Sequence, residues 1–297
     1  MGTASVVAAI IRSDWFARRD TPPFLVTMTA DFFSDPAAVA SYAERASRSV
    51  PGLDVLHGIV EQILAESVPN DGRVLVVGAG GGLELTHLAE HHDEWTFDGV
   101  DPSAPMLDLA RERMGPLASR AVLHEGYVTD APEGPFDAAT CLLTLHFVSR
   151  EERLRTLREI NRRLRPGAPL LTFHHSVPDG NARAAWLERH TRFAAGPDAS
   201  PAQVAESAAT LATQLPILRP DEDEALLYEA GFEDVGTYYA APPSADGSRM
   251  PRTPLPTAES MLRSEPCARS ATSIPSAPVA HSAGGMWWLP RNRSLGS

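Results

Sequence analysis

From about residue 31 to residue 240 the chain alternates short β-branched runs with stretches whose apolar residues recur every three or four positions. Val74-Leu75-Val76-Val77 is an apolar run stopped by Gly78, the mark of a strand buried on both faces. Gly82 then opens a helix whose apolar side is Leu83, Leu85, Leu88 and Ala89. A second strand runs from Trp95 to Val100 and stops at Asp101, and Met106, Leu107, Leu109 and Ala110 stripe the helix after it. Strand three is predicted over 121–124 and strand four over 138–145. Ser149 and Glu152 form a capping box before a helix striped by Leu154, Leu157, Ile160 and Leu164 and closed by Arg165-Pro166-Gly167. Strand five follows over 170–173, then two helices across 180–213, a helix over 221–230 and a sixth strand through 235–239. This alternation predicts an α/β fold, a doubly wound and mainly parallel sheet covered by helices on both faces.

The texture changes at both ends. Residues 1–30 hold a short apolar run and the breaker Pro22-Pro23 without periodicity, so a loose extension is expected. After residue 240 the periodicity stops and Pro, Ser and Arg accumulate, the composition of a disordered tail over 241–297. The domain itself is therefore placed at 31–240.

With 43% apolar residues over 297 positions the chain has ample material for a core, and charge narrows the partners. The net charge is −12, while residues 241–297 carry six Arg against three acids, +3, leaving −12 − 3 = −15 on residues 1–240. A body that acidic repels nucleic acid, whose binding rests on neutralising phosphates with Lys and Arg. The expected partner is a small molecule, and a homodimer is an open expectation. No apolar run nears the ~20 residues of a membrane helix, since Val6 to Ile11 is stopped by Arg12 and Asp14. Cys141 and Cys267 lie far apart with no CxxC neighbour, so neither a disulfide framework nor a cysteine metal site is expected and a reducing cytoplasm is.

The chemistry concentrates in Gly78-Ala79-Gly80-Gly81-Gly82, between the first strand and the first helix. A sharp turn there lets a ligand approach backbone that a Cβ would screen, and the first helical amides face that ligand. Asp101, 19 residues after Gly82, ends the next strand, where a carboxylate can accept from both hydroxyls of a ribose. The bland alternative is that Asp101 merely caps the helix begun by Pro102 and Ser103. A dinucleotide fingerprint needs glycine where this chain has Leu83, whereas S-adenosylmethionine has no phosphate to cradle and GxGxG suffices.

Read in order, the segments VLVVGAGGG, FDGVDPS, LHEGYVTD, GPFDAATCLLTLHF and LRPGAPLLTFHHS resemble the five motifs of the class I S-adenosylmethionine-dependent methyltransferases, over roughly Ala30 to Tyr239. Arg48-Ser49-Val50-Pro51-Gly52 and Thr144-Leu145-His146-Phe147 are most similar to the branch containing carboxy-S-adenosylmethionine synthase, a tRNA-modification enzyme. The resemblance implies a Rossmann-like fold that binds S-adenosylmethionine. Gly78, Ala79, Gly80 and Gly82 would line its methionine part, Asp101 its ribose, and Pro102 and Met106 its adenosine. Gly126, Tyr127 and Val128 would border the adenine, with Leu142 below the ligand.

Departures from the family are as informative. An acid often precedes the first motif glycine by two residues, and here that position is Val76. The synthase's tyrosine after VPG is Leu53, a position expected to face substrate, and its carboxylate-gripping arginine falls at Ala208. The family's last strand is due near residue 245, where Ser244-Ala245-Asp246-Gly247 offers no apolar run, which leaves open whether a seventh strand exists.

Methyl transfer to an oxygen or nitrogen benefits from a base, and His146 at the end of strand four is the candidate, with His174 and His175 at the end of strand five beside the acceptor. Helices near 35–66 and 180–213 are expected to form a lid. The expected activity is methyl transfer to a small acceptor; a carboxy-S-adenosylmethionine synthase-like enzyme and a non-catalytic nucleoside-binding protein are the alternatives.

Overall fold

The computed structural model describes Phe33 and residues 39–241, 285–288 and 291–292, so the expectation for residues 1–30 lies outside the described residues. Two helices lead in, α1 (Tyr42–Ser49) and α2 (Leu53–Ala65). The alternating body follows as β1 (Arg73–Val77), α3 (Leu83–His91), β2 (Thr96–Asp101), α4 (Ala104–Met114), β3 (Ala121–Glu125), β4 (Ala138–Leu142), α5 (Arg150–Arg163) and β5 (Leu170–Phe173). The helices α6 (Asn181–Ala195), α7 (Pro201–Gln214) and α8 (Pro220–Glu229) precede β6 (Phe232–Glu233), β7 (Thr237–Ala241), β8 (Gly285–Trp288) and β9 (Arg291–Asn292). Among the described residues no helix is long and apolar enough to cross a membrane.

The main sheet has the order β3-β2-β1-β4-β5-β8-β7. Strands β1 to β5 pair in parallel, and the order reverses between β1 and β4, the switch point at which open α/β sheets bind ligands. Side-chain alternation divides the interior. Val74 and Val76 join the core under α2 and α3, while Leu75 and Val77 join the opposite core with Leu157, Ile160 and Leu226.

Three expectations change. Strand four stops at Leu142 rather than 145, because Leu143 takes the left-handed conformation (φ 55°) and the chain turns through Leu145–Phe147. The predicted strand over 235–239 lies instead at 237–241, separated from the two-residue β6 by Asp234, also left-handed at φ 54°. The position between β5 and β7 is filled from within the segment expected to be a disordered tail. β8 runs antiparallel to both, with Phe173 opposite Trp287 and Ala240 opposite Met286, while β9 pairs with β6. The seventh strand is thus supplied from 285–288, and a ladder of unpaired amides along β5 is avoided.

The helices expected to form a lid meet. Helices α6 and α7 pack on each other around Val177, Leu187, Ala208 and Ile217, and α1 packs against α6.

Candidate active site

Gly78 and Gly80 shape the turn after β1. Both have positive φ, 77° and 48°, and the Gly78 and Ala79 amides donate to the Val100 carbonyl at 2.8 and 3.1 Å, tying the loop to β2. A Cβ on Gly78 would collide with the Thr144 hydroxyl. One on Gly80 would meet nothing nearer than Met106 Cε at 3.5 Å, the Tyr42 hydroxyl at 3.6 Å and the Gly78 carbonyl at 3.7 Å, ordinary contact distances that leave this stretch of backbone open to close approach.

Asp101 closes the pair predicted from sequence. Its Oδ2 accepts from the Gly80 amide at 3.0 Å and its Oδ1 from the Ser103 amide at 2.9 Å. Burial raises the Asp101 carboxyl above its usual range, and those two amides hold the rise down. The ribose and helix-capping readings are therefore not exclusive, since one carboxylate joins the glycine loop to the start of α4. The Asp101 carbonyl also accepts from Gly126 at 3.0 Å, which brings the β3 loop alongside. There Val128 is buried, Tyr127 is 66% exposed, and Asp130 accepts from the Tyr127 amide at 2.8 Å. Pro102 is exposed, whereas Met106 and Leu142 are buried.

The histidines separate by face. His146 is buried, its ring 4.7 Å from that of His175, which lies 4.5 Å from His190 on α6. Burial first, then the neighbouring His175 and His174, hold His146 well below the ordinary imidazole range; burial and His190 do the same for His175. Burial alone takes His190 down to about 4. All three rings are thus neutral at pH 7, with lone pairs available. His174 turns the other way, with Nε2 3.1 Å from Asp223, which also pairs with Arg153. Burial would raise the Asp223 carboxyl, but His174 and then Arg153 outweigh it and hold it below its usual range. Of the adjacent pair it is His175, not His174, that joins His146. Leu53, the first residue of α2, is likewise packed into the core.

Three participants are assigned no role from the sequence. Tyr42 lies over the loop within reach of both Asp101 and Glu84, and burial, then those carboxylates, push its hydroxyl up to about 12. Phe33 links Tyr42 (6.3 Å between rings) to Phe147 (5.8 Å), whose ring lies 4.2 Å from His146. An aromatic wall therefore runs from the loop to His146. Thr144 is the third, and only folding brings it against Gly78. Among the described residues no group of three ligating side chains is arranged to hold a metal ion.

The loop backbone, the Asp101 carboxylate at the end of β2 and the aromatic wall fit a sulfonium nucleoside. Residues 74–167 match the family model of a methyltransferase domain. The chain is 27% identical over 215 residues to carboxy-S-adenosyl-L-methionine synthase of Chromohalobacter salexigens, covering 71% of this chain and 80% of that protein. To the protein of that name from Campylobacter curvus it is 24% identical over 210 residues, 70% of this chain and 89% of the relative. In fold it is similar to an O-methyltransferase family protein from Burkholderia thailandensis (TM-score 0.54, 16% identity, 90% of this chain and 63% of that one). It is also similar to Haemonchus contortus phosphoethanolamine N-methyltransferase 2, solved in complex with S-adenosyl-L-methionine (TM-score 0.52, 17% identity, 74% and 46%). The chain thus spans less than two thirds of either solved protein. Motif order, sheet order and these likenesses agree: residues 74–167 carry a methyltransferase domain, and the chain is similar in sequence and fold to S-adenosylmethionine-dependent enzymes of the Rossmann-like class I type.

Proposed function

We propose that this domain transfers a methyl group from S-adenosylmethionine to a small-molecule acceptor held between the glycine loop and the lid of α1, α6 and α7. The observation that carries the reading is the Gly80 amide bonded to Asp101 at the switch point, with three neutral imidazoles one strand away. When bound, the sulfonium supplies an electrophilic methyl group.

The chain's own part is alignment and proton handling. Asp101 and the loop amides would fix the nucleoside, and an apolar wall of Phe33, Tyr42 and Phe147 would keep water from the reacting centre. Holding donor and acceptor in line supplies ~7–11 kcal/mol of a barrier without a covalent catalyst. His146 Nδ1 is buried with no hydrogen-bond partner and is the atom assigned to receive the acceptor's proton, with His175 adjoining it. Two widely spaced cysteines suit the reducing cytoplasm, where we place the protein.

A second reading follows the similar proteins, which are carboxy-S-adenosyl-L-methionine synthases. The position aligned with the synthase's gripping arginine is Ala208, buried among Val177, Leu187 and Ile217 inside the lid, and Leu53 is sealed in the core. Neither offers a contact to an added carboxylate, which favours ordinary methyl transfer.

Calorimetric titration of the full chain with S-adenosylhomocysteine and with NAD, joined to mass spectrometry of any copurified nucleoside, tests both readings. Saturable binding of the homocysteine compound is expected. Binding of NAD alone would overturn the proposal, and a retained carboxylated cofactor would support the second reading.

A further inference from the structure

Four acidic side chains are buried among the described residues: Glu84, Asp98, Asp137 and Asp223. Three of them face cations. Asp98 holds Arg73 at 2.7 Å and His124 at 2.8 Å, Asp137 pairs with Arg165, and Asp223 pairs with Arg153 and His174. Glu84 pairs with no cation, and its Oε1 is buried without any hydrogen-bond partner. An unpaired buried carboxylate is costly, and its persistence calls for a partner that arrives from outside.

Its surroundings say where that partner would come from. Glu84 sits two residues beyond Gly82, at the start of α3, beside Thr140 of β4. Thr140 is the cross-strand partner of Val76, the position at which the family often carries an acid. Tyr42 spans the remaining direction, feeling Glu84 and Asp101 and touching Gly80 and Gly81. The groups that influence the carboxyl electrostatically are the hydroxyls of Thr140, Tyr42 and Tyr238 and, from the other face of β4, the Cys141 thiol, none of them a cation.

Resting on the methyltransferase reading, we propose that Glu84 receives the α-ammonium of the bound nucleoside's amino-acid end, taking over from the acid that Val76 replaces. Asp101 and Glu84 then hold the two ends of one ligand across the glycine loop. Glu84 is a positioning residue in this assignment, and removing it weakens the cofactor's hold without touching the acceptor. Burial lifts its carboxyl to about 7, with Thr140 tempering the rise, so an arriving ammonium would meet a group ready to ionise.

The test compares two ligands on two proteins by calorimetry: S-adenosylhomocysteine and its analogue with hydrogen in place of the amino group, on wild type and Glu84→Gln. Wild type is expected to favour the amino compound by about 10- to 100-fold, the worth of a charged hydrogen bond. In Glu84→Gln that preference should shrink to within about threefold while the analogue binds unchanged, a pattern that a merely structural role would not produce. An undiminished preference in the variant would overturn the assignment. Should Glu84→Gln fail to fold, Glu84→Asp takes its place, with a reduced preference expected and an unchanged one overturning it. Failure of wild type to bind either compound would instead bring down the methyltransferase reading, and this assignment with it.

Discussion

The Thr144 hydroxyl stands in the space that a side chain on Gly78 would fill. It is held there by donating to the Leu142 carbonyl at 2.9 Å, just past the left-handed Leu143 that ends β4. The first glycine of the loop is thus required for two reasons, its positive φ and a neighbour on the adjacent strand.

Gly78→Ala is therefore expected to cost ~2–5 kcal/mol, combining overpacking with the left-handed penalty. Adding Thr144→Ala should recover most of the steric share, since Oγ1 and Cγ2 go while the Thr144 Cβ stays 2.9 Å from the new Cβ, and leave at least the backbone share of ~1–2 kcal/mol. Chemical denaturation of the two single variants and the double variant measures both; simple additivity would show that the contact is not what forbids the side chain.

Asp101→Ala should lower affinity for S-adenosylhomocysteine by about 10- to 100-fold, since it removes a charged acceptor and unties Gly80. Titration calorimetry measures it, with circular dichroism to verify that the sheet is intact. Unaltered affinity would refute the ribose assignment.

For His146→Asn the expectation is a loss in kcat of about 10²-fold or more with cofactor affinity preserved, the signature of a lost base. A change confined to cofactor affinity would move His146 out of the proton path. The measurement requires an acceptor identified from a substrate screen.

Acidification should destabilise the chain through its buried imidazoles. His57 and His190 are both depressed to about 4 from an ordinary 6.5. They stay neutral in the folded state while the unfolded chain protonates them, so their contribution is complete above pH 6.5 and drains away as the pH falls toward 4. Each accounts for up to about 3 kcal/mol. Melting curves should be nearly level from pH 7 to 8 and fall steeply below 6.5, and His190→Gln should flatten that fall.

Glu84 has the opposite sign. Its carboxyl is raised to about 7 from 4.5, so the folded state is penalised as the pH climbs from 4.5 through 7, by up to about 3 kcal/mol. Without cofactor, Glu84→Gln should melt higher than wild type at pH 8 and alike at pH 4.5. Equal melting at both values would mean that the carboxyl is better solvated than its burial indicates.

The sheet and its glycine loop were legible in the sequence because both are written in local terms: Val74 to Val77 as an apolar run, Gly78 to Gly82 as a bend, and Asp101 as the acid at the next strand end. Other features depend on elements distant in sequence. The choice between His174 and His175 turned on which face of β5 meets α8 and which meets α6, a matter of packing that two adjacent, identical residues cannot encode. Tyr42, Thr144 and Glu84 acquire their roles only where α1, β4 and α3 converge on the loop. The seventh strand is the clearest instance: residues 285–288 pair with 172–173 and 237–241 across more than forty intervening residues, because an open strand edge accepts any segment able to complete its hydrogen bonds.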